Sequence, residues 1–147
     1  MKVYLDACCI NRPFDDQRQL RIRLESEAVI IVLEKFQSRE WVWLSSEVLL
    51  YELSQNPDVE NRQRTLMLAG MADQVVALDE AILQRAEKLQ EAGFSAYDAL
   101  HLACAEAGEA DIFLTTDDRI VKLARKKKGL LRLAVDNPVR WLDEVLR

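Results

Sequence analysis

The sequence predicts an α/β protein: a mostly parallel sheet of five short strands, covered by helices on both faces. Three observations lead there. Apolar runs of four or five residues alternate along the chain with longer stretches at helical spacing. Runs this short and this apolar suit strands buried on both sides, which is the signature of a parallel sheet. The 147 residues also carry only four glycines and three prolines, with no composition break or repeat, so a single domain spanning 1–147 is expected.

The elements follow in order. Lys2–Leu5 is the first strand and ends at Asp6. Asn11-Arg12-Pro13-Phe14 reads as a loop. Asp15 or Asp16 then caps a helix to about Gln37, with Leu20, Leu24, Ala28, Ile31 and Leu33 near one face. Trp41–Leu44 is the second strand, and Ser45 or Ser46 caps the helix that carries Glu47 and Glu52. Asn56-Pro57-Asp58 breaks the chain and starts a helix to about Gly70. Gln74–Leu78 is the third strand, Asp79 a cap, and Glu80–Ala92 a helix closed by Gly93. Ser95 caps Ala96–Ala107, which Gly108 closes. Asp111–Leu114 is the fourth strand, followed by Thr115-Thr116-Asp117-Asp118 and a helix to about Lys127. Leu131–Val135 is the fifth strand, and Asn137-Pro138 opens a last helix through Trp141 and Leu142.

Composition excludes several classes. No apolar stretch is long enough to span a bilayer. The start, Met-Lys-Val-Tyr-Leu-Asp, resembles neither a signal nor a transit peptide, so a cytoplasmic location is expected. Cys8, Cys9 and Cys104 form no Cys-x-x-Cys, and His101 is the sole histidine, which argues against a Cys/His zinc site and a disulfide framework. The net charge of −5, from 25 acids against 20 bases, argues against a surface basic all over. It does not argue against an enzyme that holds a cation between carboxylates.

The acids fall where such a site would be. Ligands of open α/β sheets bind beyond the carboxyl ends of the strands, where strand order reverses. Asp6 ends the first strand and Asp117 follows the fourth. If those strands are neighbours, both carboxylates enter one crevice. Glu52 comes from the helix after the second strand. Asp98 sits in Ser95-Ala-Tyr-Asp98-Ala-Leu-His-Leu-Ala, an otherwise small and apolar stretch apart from His101, where an unpaired acid is costly. Each acid alone has an ordinary alternative. Asp98 is the third residue of a capped helix, Glu52 a solvated helix acid, and Asp117 a cap. Asp6, closing a buried strand, has no capping role to fill. Together the four imply a hard divalent cation, magnesium or manganese, and in-line hydrolysis of a phosphodiester.

The joint pattern resembles the PIN-domain family of metal-dependent ribonucleases, which includes the VapC-type toxins of bacterial and archaeal toxin–antitoxin pairs. The resemblance rests on Val3-Tyr-Leu-Asp6, Ser46-x-x-x-x-x-Glu52-Leu, Asp98-Ala-Leu-His-Leu-Ala103 and Leu114-Thr-Thr-Asp117, in that order over essentially the whole chain. It implies a three-layer α/β/α fold with strand order 3-2-1-4-5, which puts strands one and four side by side. It implies that Asp6, Glu52, Asp98 and Asp117 hold magnesium or manganese, with Asp118 as a helper and Thr115 orienting the fourth acid. It further implies an RNA substrate, an antitoxin partner and a homodimer. Where many relatives have Thr-Asn after the first acid, this chain has Ala7-Cys8, and Asn11 is the candidate replacement.

Arg12, Arg18, Arg21 and Arg23 cluster after the first strand, and Arg125-Lys126-Lys127-Lys128 ends the helix after the fourth. Both groups are candidates to flank the crevice and contact RNA phosphates. Arg125–Lys128 has an alternative as a basic helix end. His101 reads as packed on the Asp98 helix rather than catalytic. Trp41 and Trp43 read as packing residues under helices or at a partner subunit. Two other functions compete. One is a degenerate PIN-like module that binds RNA or protein without cleaving. The other is a receiver-like phosphotransfer domain, with Asp79 as phosphoacceptor. That second reading lacks the paired acids after strand one and the lysine after strand five.

Overall fold

The computed structural model describes residues 1–147. In chain order the elements are β1 (Lys2–Leu5), α1 (Ala7–Asn11), a 3-10 turn (Arg12–Phe14), α2 (Leu20–Gln37), β2 (Val42–Ser46), α3 (Glu47–Ser54) and α4 (Val59–Ala69). They continue with β3 (Gln74–Val76), α5 (Glu80–Glu91), α6 (Ala96–Ala107), β4 (Ile112–Leu114), α7 (Asp118–Lys126), β5 (Ala134–Asp136) and α8 (Pro138–Val145). The strands form one parallel sheet in the order β3-β2-β1-β4-β5. No helix is long and apolar enough to cross a membrane.

Strand alternation explains the layers. Val3 and Leu5, with Trp43, Ile112 and Leu114, face α1, α2 and α8. Tyr4, Leu44 and Phe113 point the other way, against α5, α6 and α7. Register keeps the two sets apart, with Val3 opposite Trp43 and Ile112, and Tyr4 opposite Leu44 and Phe113. Trp43 stacks on Phe36 at 5.1 Å and Trp41 tilts against Trp141 at 4.9 Å, so both are packing residues.

Four expectations shift. Ala7–Asn11 is helical, and Asp6 caps it, its Oδ1 accepting from the Ala7 N–H at 2.8 Å. Five residues are too few to show a helical period. So Asp6 does fill a capping role, alongside its place at the end of β1.

Helix α2 starts at Leu20, with Gln19 before it and no side-chain cap. Asp15 and Asp16 instead pair with Arg12 and Arg18. Its buried stripe is Glu25, Ala28, Val29, Val32 and Phe36, while Leu20, Leu24 and Ile31 face outward. Two stripes compete on this helix, and the buried one contains an acid, so hydrophobicity alone selects the wrong face. Strand β5 lies at Ala134–Asp136, because Leu131 and Leu133 pack on the α5–α6 core instead of pairing.

Candidate functional site

Strand order reverses between β1 and β4. The chain leaves β1 toward β2 on one side and returns to β4 on the other, opening a crevice at their carboxyl ends. The Asp6 N–H donates to Leu114 O at 3.0 Å, locking the two strand ends together. The Asp6 carboxylate is held at both oxygens. Oδ1 accepts from Ala7, and Oδ2 accepts from the Thr115 hydroxyl at 2.8 Å. Thr115 Oγ1 also accepts from the Asp117 N–H at 3.1 Å. Thr115 thus fixes the first acid directly and the fourth through its backbone.

Glu52 and His101 complete the inner group. His101 is fully buried, and its Nε2 lies 3.3 Å from Glu52 Oε1 and 4.0 Å from Asp6 Oδ1. One donor atom from each of Asp6, Glu52 and His101 falls within 4.8 Å of the others. On the far side of the ring, Nδ1 meets the Tyr4 hydroxyl at 2.7 Å, and that hydroxyl meets Ser46 Oγ at 2.7 Å.

Asp98 and Asp117 lie outside this three-residue group, with Asp98 near enough to feel the charges of Asp6, Asp117 and His101. Ser95 caps α6 by accepting from the Asp98 N–H at 3.3 Å. The expected cap therefore exists, and Asp98 lines a cleft with Ser95 and Arg119. Asp117 caps α7, accepting from the Arg119 N–H at 2.9 Å. Its carboxylate is also gripped by the Arg119 guanidinium, through Nε at 3.3 Å and Nη2 at 3.1 Å.

Electrostatics bind the group. Burial pushes the Asp6 carboxyl up, against the pull of His101 and the Thr115 hydrogen bond. Asp98 is pushed up by burial and by the charges of Asp6 and Asp117. The Arg119 guanidinium holds Asp117 below its ordinary value. Burial alone would lower His101. The Glu52 hydrogen bond and the charges of Asp6, Glu52 and Asp98 outweigh it and raise the ring above its usual value. Carboxylates resisting ionisation in one crevice are the electrostatic condition that a divalent cation relieves. Hard oxygens held by Ala7, Thr115 and His101 suit magnesium or manganese.

The remaining candidates are placed differently. Asp118 is exposed, paired with Arg21 at 2.8 and 2.9 Å, and is not part of the inner group. Asn11 ends α1 and makes no capping bond. Instead the Cys8 thiol stands near the first acid, with Sγ 3.5 Å from Asp6 Oδ2, 3.4 Å from Thr115 Oγ1 and 3.3 Å from the Thr116 N–H. Arg12 is tied to Glu25 at 2.9 Å and Asp15 at 2.8 Å. Arg18 pairs with Asp16 on the surface. Arg125 pairs with Asp136 at 3.3 Å, while Lys126 and Lys127 are exposed at the far end of α7. Nine residues span about 13 Å, so those lysines stand a helix length from Asp117. With Asp111 and Arg132, Arg125 and Lys127 line a cleft of about 710 Å³ at the amino end of β4, opposite the acids. The cleft beside Asp98 and Arg119 is smaller, about 180 Å³.

Asp79 caps α5 after the edge strand β3, with β2 between it and β1, so it shares no crevice with Asp6. Two residues lie at the site beyond those the sequence assigns to it: His101, which reads there as a packing residue, and Arg119. His101 lies three positions after Asp98, on the same face of α6. Arg119 follows the Asp117-Asp118 pair directly.

Fold and crevice together define a doubly wound α/β protein that gathers carboxylates at its strand-order reversal. The chain belongs to the PIN domain family, whose model matches residues 3–126. No curated protein sequence matches it. Among solved structures it is similar in fold to VapBC2 from Rickettsia felis bound to a DNA fragment from their promoter, with TM-score 0.59, 15% identity, and 93% and 98% of the two chains covered. It is likewise similar to FitAcB from Neisseria gonorrhoeae, with TM-score 0.58, 17% identity and 92% and 97% coverage. VapBC-1 from nontypeable Haemophilus influenzae gives TM-score 0.58 and 12% identity, covering 94% and 98%.

Proposed function

We propose that this PIN-domain protein is a magnesium- or manganese-dependent endoribonuclease and the toxin of a toxin–antitoxin pair. The observation that carries the reading is the convergence of Asp6, Glu52 and His101 within 4.8 Å at the strand-order reversal, with Asp98 coupled by charge to Asp6 and to Asp117. Family membership supports hydrolysis of nucleic acid, and the VapBC neighbours support an antitoxin partner.

Asp6, Glu52, Asp98 and Asp117 would hold the cation. When bound, it supplies neutralising charge, Lewis acidity toward a phosphate oxygen and acidification of water. The chain's own residues supply the rest. Ala7 and Thr115 keep the Asp6 oxygens aimed. Buried His101 holds Glu52. Arg119 and Arg21 offer guanidinium groups at the rim for phosphate contact.

The test is cleavage of a structured RNA with added magnesium or manganese, by the wild type and by Asp98→Asn and Asp117→Asn. The wild type is expected to cleave and each variant to lose at least about a hundredfold. Equal cleavage by all three assigns the activity to a contaminant. A folded protein that gains no thermal stability from manganese and cleaves nothing favours a binding module without catalysis.

A further inference from the structure

The family's acids leave one inner group unexplained. His101 is 0% exposed, so no solvent reaches it. Its Nδ1 is anchored by Tyr4, and its Nε2 is therefore aimed at the two carboxylates. We propose that His101 Nε2 is itself a metal ligand, which with Asp6 and Glu52 makes a mixed nitrogen and oxygen site selective for manganese over magnesium. The proposal rests on the metal-binding reading above and goes beyond it in naming a nitrogen donor and the preference that follows.

Three arguments carry it. The first is spacing. Six donors at about 2.1 Å from one ion stand about 3 Å apart when adjacent and about 4 Å when opposite. The observed separations, 3.3 Å from Nε2 to Glu52 and 4.0 Å to Asp6, lie within that range before any movement. The second is charge. A neutral imidazole adds a donor without adding a third negative charge beside the Asp6 and Glu52 carboxylates.

The third is the support behind the ring. A ligating histidine must carry its proton on the other nitrogen and give it to a fixed acceptor. Here Nδ1–H would donate to the Tyr4 hydroxyl, which would donate in turn to Ser46 Oγ. Ser46 Oγ has two lone pairs, one taken by the Leu49 N–H at 3.1 Å and one open to Tyr4. Because both hydroxyls can reverse, the same chain accommodates the other tautomer, in which Nε2–H donates to Glu52. A role confined to orienting Glu52 uses that second tautomer only. Imidazole nitrogen is a good ligand for transition ions and a poor one for magnesium, so ligation predicts a selectivity that orientation does not.

The experiment is pulsed electron paramagnetic resonance of the manganese-loaded wild type, with competition titrations of manganese against magnesium. The expected result is nitrogen modulation of the manganese echo. In His101→Gln the modulation disappears, manganese affinity falls about a hundredfold, and magnesium affinity changes only about two- to threefold. Tyr4→Phe, which keeps the ring, retains the modulation while manganese affinity falls about tenfold or more. Should His101→Gln fail to fold, the wild-type spectrum and Tyr4→Phe decide. Bound manganese without nitrogen modulation overturns the proposal, and the carboxylate-centred reading survives if the same sample cleaves RNA. Failure to bind manganese at all overturns both.

Discussion

The Arg119 guanidinium clamps the Asp117 carboxylate at both oxygens, 3.3 Å at Oδ1 and 3.1 Å at Oδ2, although the arginine side chain is 91% exposed. An arginine that neutralises a proposed ligand competes with a cation for it. Were a cation to take Asp117, the guanidinium would be freed beside Asp98.

Arg119→Ala should therefore move two quantities in opposite directions. Manganese affinity, read by calorimetric titration, should rise about two- to fivefold, the modest change expected of an exposed pair. RNA affinity should fall, and the slope of log affinity against log salt should shrink by about one contact. Loss of both affinities together would mean that Arg119 merely supports the local fold.

Glu25 is the buried acid on α2, and three partners converge on it. They are Arg12 at 2.9 Å, Arg21 at 3.2 Å and Asn137 at 2.6 Å. These bonds tie the segment after β1 to the start of α8. Removing one member of a buried charged network leaves its partners desolvated and unpaired, so Glu25→Ala should cost about 3 kcal/mol in denaturant titration. A cost within error of zero would show that the partners rehydrate freely.

Gly108 closes α6 against β2 and β3. A Cβ there would meet Leu44 Cδ1 at 2.8 Å and Val76 Cγ2 at 2.9 Å. Gly108→Ala should lose about 1–3 kcal/mol by overpacking, with manganese affinity unchanged because the site lies at the other end of the sheet. Unchanged thermal stability would mean that the two side chains simply move aside.

The pH dependence has a definite sign. His101 has a folded-state value above its ordinary one, since its acidic neighbours outweigh burial. Its contribution to stability is whole below the unfolded value, about 6.5, and is lost as pH rises through the folded value. Asp6 and Asp98, also raised, act in the same direction at lower pH. Metal-free protein should therefore melt at progressively lower temperature from about pH 6 to pH 8.5, and His101→Gln should flatten that slope. Saturating manganese should reverse it, because cation binding displaces the protons. A metal-free melting temperature that climbs over that range would contradict the charge assignment.

Much of this was legible in the residues. Short apolar runs between helical stretches yield the five strands, and caps at Ser46, Asp79, Ser95 and Asn137 yield half of the eight helix starts. Three features stayed hidden, each for a physical reason. Helix α1 is too short to show a period. Glu25 is not marked out in the sequence, because its partners Arg12 and Asn137 lie far apart in the chain. His101 reads as a core residue because its role depends on Glu52, which lies 49 positions away. Arg125–Lys127 illustrate the converse. Their charge is plain in the sequence, but helix α7 carries them away from the crevice.

The central claim is that these carboxylates hold a cation that hydrolyses RNA. Its most direct test is end-group analysis of RNA treated with purified wild type or Asp6→Asn, with manganese and again with excess chelator. Water-driven in-line displacement predicts wild-type products with a 5′-phosphate and a 3′-hydroxyl, no cleavage with chelator, and none by Asp6→Asn. Cleavage that persists in chelator, or products ending in a 2′,3′-cyclic phosphate, would contradict the account.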